Sequence, residues 1–169
     1  MSVTIRPMTG DEFERFCQWS IEQQAAELMK EQDLPRETAR KETAEEVAGM
    51  LPDGLHTAHN HFLTIMAADE NVGFLWTIHE ETEGRKQCFL CDFAIWESKR
   101  RNGYGAAALH LAEQEAAKAG CLESVLFVSE KNAAARALYE KCGYRVLRRA
   151  GRGSYLIKQL PDLCGCANP

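Results

Sequence analysis

The chain has 169 residues, of which 45% are hydrophobic and 27% charged, and its net charge is −5. That is enough for one domain with a real core, and the acidic balance argues against a general nucleic-acid binder, which would carry a basic excess. No apolar run approaches the roughly 18 residues that span a bilayer, and the opening MSVTIRPMTGDEF lacks a signal-peptide core, so a cytoplasmic protein without a membrane partner is expected.

Residues 2–8 read as a short strand. Thr9 or Asp11 is placed to cap a long helix over 12–32, where Phe13, Phe16, Ile21, Ala25 and Leu28 recur at roughly helical spacing. Pro35 opens a second helix, 35–51, whose charges mostly form a solvated face, and PDGLHTAHNH (52–61) is a loop. Three strands follow at 61–68, 72–80 and 87–96, joined by the hairpin turns DEN and ETEGRK, with Glu80 and Glu81 on turn surface. After Trp96 the pattern changes. A helix over 103–119 ends at Gly120, LESVLFVS (122–129) is a buried strand, and NAAARALYEKC (132–142) is a helix closed by Gly143. YRVLRR and SYLIKQL form a hairpin around AGRG, and residues 161–169 read as a flexible tail behind one domain, 1–160. This order of elements predicts an α+β domain on one mixed sheet.

Seven cysteines, an odd number, are scattered along the chain. Cys88 and Cys91 have a C-x-x-C spacing, but they fall in a strand where the two side chains face opposite ways. No second pair completes a zinc site, although Cys164-Gly-Cys166 lies near the end, and His56, His59 and His61 match no strong zinc spacing. Reduced thiols and no metal are expected.

The most informative stretch is KRRNGYGAAALHLAE, 99–113. Glycine turns leave backbone N–H groups uncovered, and the first N–H groups of a helix have no intrahelical partner. The helix dipole and the charges of Arg100 and Arg101 add positive potential, which makes a cradle for a pyrophosphate. Ala106, Ala107 and Ala108 keep the first turn slim. A P-loop would need Lys-Ser or Lys-Thr after its second glycine, and the chain has Ala-Ala. Gly103-x-Gly105-x-x-Ala108 fits a dinucleotide fingerprint, with Glu123 twenty residues further on, but a polar cationic loop separates it from the preceding strand.

Arg100-x-x-Gly103-x-Gly105 resembles the pyrophosphate motif of the GNAT superfamily of N-acetyltransferases. NAAARALYEKCGY (132–144) resembles that superfamily's second hallmark, and CDFAIW fits its central strand. The resemblance covers roughly residues 62–158. It implies a twisted, mostly antiparallel mixed sheet flanked by helices, with acetyl-CoA as co-substrate lying between two splayed strands, here 88–96 and 122–128. It also implies contacts to that co-substrate from Phe93, Ala94 and Ile95, from Arg100, Arg101, Asn102, Gly103, Tyr104, Gly105 and Ala106, and from Asn132, Ala135 and Tyr139.

By the same resemblance, the backbone of 93–95 meets the pantetheine arm and the thioester oxygen, a sound use of preorganised N–H groups. Asn132 is placed to cap its helix as well. Tyr139, two turns on, is the acid for the departing thiolate. Reference values of about 10 for tyrosine and 8.5 for a thiol make that transfer uphill, so the phenol acts by hydrogen bonding or has a lowered pKa, for which Arg136 is one cause. The amine must lose a proton before attack, and the candidate bases are Asp92, His59, His61 or water. The expected activity is direct transfer of acetyl from acetyl-CoA to a primary amine of a small molecule, peptide or protein, by a monomer or homodimer. The alternative is a CoA-binding sensor or scaffold that turns nothing over.

Overall fold

The structure, a computed structural model, describes residues 2–163. These divide into two compact units, one of residues up to Pro7 together with those from His61 on, the other Met8–Asn60. Residues 164–169, which include Cys164, Cys166 and most of the expected tail, lie outside the described residues.

The smaller unit is two helices and a turn of 3-10 helix, Gly54–His56. Helix α1, Gly10–Gln32, begins at Thr9, whose hydroxyl accepts the Glu12 N–H while the Glu12 carboxylate accepts the Thr9 N–H. This reciprocal cap settles the choice between Thr9 and Asp11. Helix α2, Arg36–Met50, follows Pro35, which takes the N-cap position. The two helices pack on each other, and Glu22 of α1 pairs with Arg40 at 2.6 Å and Arg36 at 3.3 Å.

The larger unit is built on strands β1 Val3–Pro7, β2 Asn60–Ala67, β3 Glu70–Thr82, β4 Arg85–Ile95, β5 Glu123–Ser129, β6 Arg145–Ala150 and β7 Gly153–Gln159. They form one sheet in the order β1-β2-β3-β4-β5-β7-β6. Strands β4 and β5 pair in parallel, whereas the β1/β2, β3/β4, β5/β7 and β6/β7 ladders are antiparallel. Helix α3, Tyr104–Lys118, carries the chain from β4 to β5, and α4, Ala133–Lys141, carries it from β5 to β6. Both crossovers join parallel strands and step the same way along the sheet, so right-handed connections place both helices on one face. The core agrees: Tyr104, Ala108, Leu109 and Ala112 of α3 and Tyr139 of α4 cluster with Leu90, Leu126 and Leu156 of the sheet.

One expected turn tightens, and one expected ligand-facing residue is core. The β3–β4 hairpin closes on Glu83 and Gly84 alone, both at positive φ (53° and 74°), as a two-residue hairpin loop of this twist requires. Glu80 and Glu81 are therefore exposed strand residues rather than turn. Ala108 is fully buried, so it belongs to the core and not to a slim ligand-facing turn.

Candidate active site

The parallel ladder between β4 and β5 is short. It pairs Gln87–Leu90 with Glu123–Leu126 and then stops, although both strands run on. The cause lies in β4. Opposite β3, the register passes from Leu90↔Thr77 to Asp92↔Trp76, so Cys91 is an extra residue in a bulge. The bulge bends β4 and reverses its alternation: Leu90 packs in the core, and so does Phe93, three residues on. A gap opens between the strands from Cys91 and Phe127 onward.

The same register shows which backbone groups face that gap. Trp96 N–H donates to Val72 O at 2.9 Å. In an antiparallel ladder bonded and unbonded pairs alternate, so Ala94 and Asp92 turn their main chain toward β3. Phe93 and Ile95 turn theirs toward the gap. Both are in use there: the Phe93 N–H donates to Asp92 Oδ1 at 3.0 Å, and Ile95 O accepts from Arg100 Nε at 3.0 Å. Of the three residues expected to reach the gap by main chain, the fold turns two that way. Ala94 lies between them with its polar groups on the other edge.

Beyond Ile95 the loop is held firmly. The Lys99 ammonium hydrogen-bonds the Glu70 carboxylate, which keeps Glu70 below its ordinary range. Asn102 Nδ2 ties back to the carbonyls of Lys99 and Arg100, and Trp96 Nε1 donates to Asn71 at 2.9 Å. Arg101 is exposed and left-handed (φ 66°), a strained choice for a residue with a side chain. Gly103 follows at φ 78°, the N-cap of α3, with no side-chain cap. A Cβ there would meet nothing within 4 Å, so open space lies beside the start of α3. Gly105 differs: a Cβ there would come into ordinary contact with Leu138 of α4 at 3.4 Å and with the Phe93 ring at 3.6 Å, so it faces α4 and β4. The Tyr104 side chain is core, leaving its main chain to the turn. Ala106 is half-buried in the first turn.

Across the gap, Asn132 Oδ1 caps α4 by accepting the Ala135 N–H at 3.1 Å. Ala135 packs on the core, and Tyr139 is buried against Tyr144, ring centroids 5.8 Å apart. Burial pushes the Tyr139 phenol above its ordinary value, and the Asp92 charge adds to that. This overturns the lowered-pKa alternative: Arg136 is engaged with Glu140 at 3.1 Å, and no cation acts on the phenol. Burial thus favours the protonated form of the Tyr139 phenol.

The histidines are elsewhere. His56 and His59 belong to the 8–60 unit, His59 at φ 65°. His61 starts β2, which β3 separates from β4, and its ring lies 4.1 Å from that of His79. Cys88 packs with Ala116, Ala117, Cys121 and Leu160, and burial pushes its thiol up to about 12. Cys17, Cys88, Cys91, Cys121 and Cys142 are free thiols. Among the described residues no group of His, Cys, Asp or Glu is arranged to hold a metal ion, and no helix is long and apolar enough to cross a membrane.

The model of the Acetyltransferase (GNAT) family matches residues 15–144, and the chain belongs to that family. It is 30% identical over 146 residues to the uncharacterized N-acetyltransferase YycN of Bacillus subtilis, covering 86% of this chain and 94% of that one. The solved YycN structure superposes with a TM-score of 0.80 at 28% identity, over 89% of this chain and 96% of that one. Two more distant structures share the fold, each with a TM-score of 0.68. One is the PaiA N-acetyltransferase of Thermoplasma acidophilum in complex with coenzyme A (18% identity; 94% and 99% covered). The other is the spermidine N-acetyltransferase of Vibrio cholerae in complex with CoA and spermine (14%; 94% and 95%). The protein is an acetyltransferase.

The bulge at Cys91 left no mark in the sequence. Neither did the parting it causes, because a buried strand reads as a continuous apolar run whether or not it is bent.

Proposed function

We propose that the protein transfers acetyl from acetyl-CoA directly to a primary amine, within one N-acetyltransferase domain that takes in both compact units, residues 1–160. The observation that carries this is the gap between β4 and β5 opening beside the uncapped start of α3. The fit is chemical as well as geometric. A diphosphate suits the N–H groups around Gly103–Ala106, with Arg100, Arg101 and Asn102 beside them, and a pantetheine amide suits the gap-facing groups of Phe93 and Ile95. Asn132 and Ala135 border the far side. When bound, acetyl-CoA supplies an activated acyl carbon, to which the amine nitrogen bonds as the C–S bond breaks.

The chain's own residues have distinct tasks in this reading. The Phe93 N–H, released from Asp92, is the donor for the thioester oxygen, where negative charge develops. The Asp92 carboxylate takes the proton that the ammonium must lose. Tyr139 donates a hydrogen bond to the leaving sulfur. Its raised pKa makes full proton transfer to a thiolate more uphill than between the free groups, so water completes that step.

Isothermal titration of CoA tests the donor site. The native chain is expected to bind with measurable heat. Gly103→Glu puts a like charge on the cradle and should weaken binding by roughly 10- to 100-fold, the worth of one or two charge-assisted hydrogen bonds. Far-UV circular dichroism checks that the variant is folded, and Gly103→Ala separates left-handed strain from charge. Undiminished binding in a folded Gly103→Glu variant overturns the reading.

A further inference from the structure

The sheet register sets three side chains, from β5, β7 and β6, in one row at the mouth of the gap, with Asp92 of β4 beyond the end of the parallel ladder. Phe127 is the first β5 residue past the last β4 pairing, and it sits opposite Tyr155 of β7. Tyr155 sits opposite Arg148 of β6. On the other bank of the gap stands Asp92. Their neighbours Phe93, Leu126 and Leu156 all point into the core beneath α3 and α4. By alternation Asp92, Phe127 and Tyr155 therefore stand on the opposite face, the one that leaves the gap open away from those helices.

The row has a chemical direction. At one end is an anion, Asp92. In the middle are two aromatic rings in edge contact, 5.2 Å apart, and Phe127 keeps 46% of its surface in solvent although it is a large apolar side chain. At the far end the Arg148 guanidinium lies over the Tyr155 ring, 4.1 Å from its centroid. Stacking fixes the plane of the guanidinium and leaves its N–H edge free to meet an oxyanion. Among the described residues Arg148 pairs with no carboxylate, and nor do Arg145, Arg149 and Arg152 of the same hairpin, all of them exposed. By contrast Arg36, Arg40, Arg85 and Arg136 each have an acidic partner. Residues 131–160 hold eight Lys and Arg against one acid, Glu140, in a chain whose net charge is −5. Positive charge is thus concentrated where the row ends.

Resting on the donor-site reading above, we infer that the acceptor is a peptide-like amine carrying a carboxylate about three residues from its reactive nitrogen, and that Arg148 receives this carboxylate. The spacing follows from the sheet: from β4, which carries Asp92, to β7, over whose Tyr155 ring the Arg148 guanidinium lies, there are two strand intervals of about 4.8 Å, roughly 10 Å, which an extended peptide covers in about three residues. A free α-amino acid is too short to reach from Asp92 to Arg148. A polyamine has the wrong charge for the hairpin, since each further ammonium faces unpaired arginines. The aromatic pair between the two ends suits the backbone and β-carbons of the intervening residues.

The test is a set of acceptors compared by CoA release from acetyl-CoA, with the full chain. The peptides are Ala-Ala-Glu-Glu-Ala-amide, its Gln-Gln and Arg-Arg counterparts, and spermidine is the polyamine. The acidic peptide is expected to have a kcat/KM at least tenfold above the Gln-Gln peptide, with the Arg-Arg peptide and spermidine lower still. In Arg148→Glu the KM for the acidic peptide should rise at least tenfold while kcat changes less than about twofold, and Arg148→Lys should recover part of the loss. CoA heat in calorimetry should be the same in all three proteins. Equal or better use of spermidine or the Arg-Arg peptide by the native chain overturns the inference. So does an Arg148→Glu variant with unchanged preference, or bound CoA with release on no amine. Absence of CoA binding in the native chain overturns the donor site itself, a failure that calorimetry separates from the others.

Discussion

Helices α3 and α4 start on either side of the same gap, and they start in opposite ways. The N-cap of α4 is Asn132, whose side chain takes the Ala135 N–H and closes the helix start. The N-cap of α3 is Gly103, which has no side chain to offer. A glycine there forgoes only a few tenths of a kcal/mol relative to Ser, Thr, Asp or Asn, but it leaves the first N–H groups without a side-chain acceptor. Helix α1, remote in sequence, takes the closed option with a full capping box. The difference teaches that α3 leaves its first N–H groups without a side-chain acceptor where α4 closes its own, the contrast on which the proposed roles of the two helices rest.

The sharpest way to break that contrast is Tyr139→Phe, which removes the one hydroxyl that α4 carries to the site. We expect kcat to fall by about 10²–10³-fold, the usual cost of one preorganised donor, with CoA binding within about twofold of native by calorimetry. Unchanged turnover would take Tyr139 out of the mechanism. The pH profile sharpens the same point. Burial raises the phenol above its ordinary value, so the active, protonated form persists past pH 10. A loss of kcat with a midpoint below 10, absent in Tyr139→Phe, would contradict that protonation state.

The next effect concerns what anchors α3, given that its start contributes nothing. Glu113, buried in α3, pairs with Lys158 of β7 at 2.6 Å, and its other oxygen is buried without a donor among the described residues. Lys158→Met strands that carboxylate and should cost about 3 kcal/mol, at the lower end of the usual range because Lys158 is a quarter exposed. Thermal melting should show a fall of roughly 6–12 °C, and Glu113→Gln in the same chain should restore much of it. A melting temperature that does not move would mean that α3 is held by apolar packing alone.

The smallest effect is Asn132→Ala. Loss of the cap should cost about 1 kcal/mol, read as a fall of roughly 2–4 °C in melting. A loss of CoA affinity beyond tenfold, with stability little changed, would instead make Asn132 chiefly a ligand contact and erase the contrast between the two helix starts.

Much of the fold was legible because each element carries its own local signal. Thr9 with Glu12, Pro35, Gly120 and Gly143 mark helix ends by backbone geometry that few residues satisfy. Tyr139 and the glycine turn were legible as a motif. Their states were not: the direction of the Tyr139 shift depends on burial and on Asp92, forty-seven residues earlier in the chain. Ala108 and Gly105 look alike from sequence as small residues of a ligand turn, yet one is core and the other faces Leu138 of α4 and Phe93 of β4.

By itself the sequence determined the succession of elements, the mixed sheet, and the place of an uncapped helix start, since all three follow from short-range periodicity and turn chemistry. Only the tertiary structure decided that β4 bulges at Cys91 and parts from β5, and that Phe93 and Ile95 rather than Ala94 turn their main chain to the gap. It also decided that Phe127, Tyr155 and Arg148, drawn from three strands, share one row, with Asp92 on the same face of the sheet. Strand register is the reason. It is a relation between distant segments, and a shift of one residue moves every side chain to the other face.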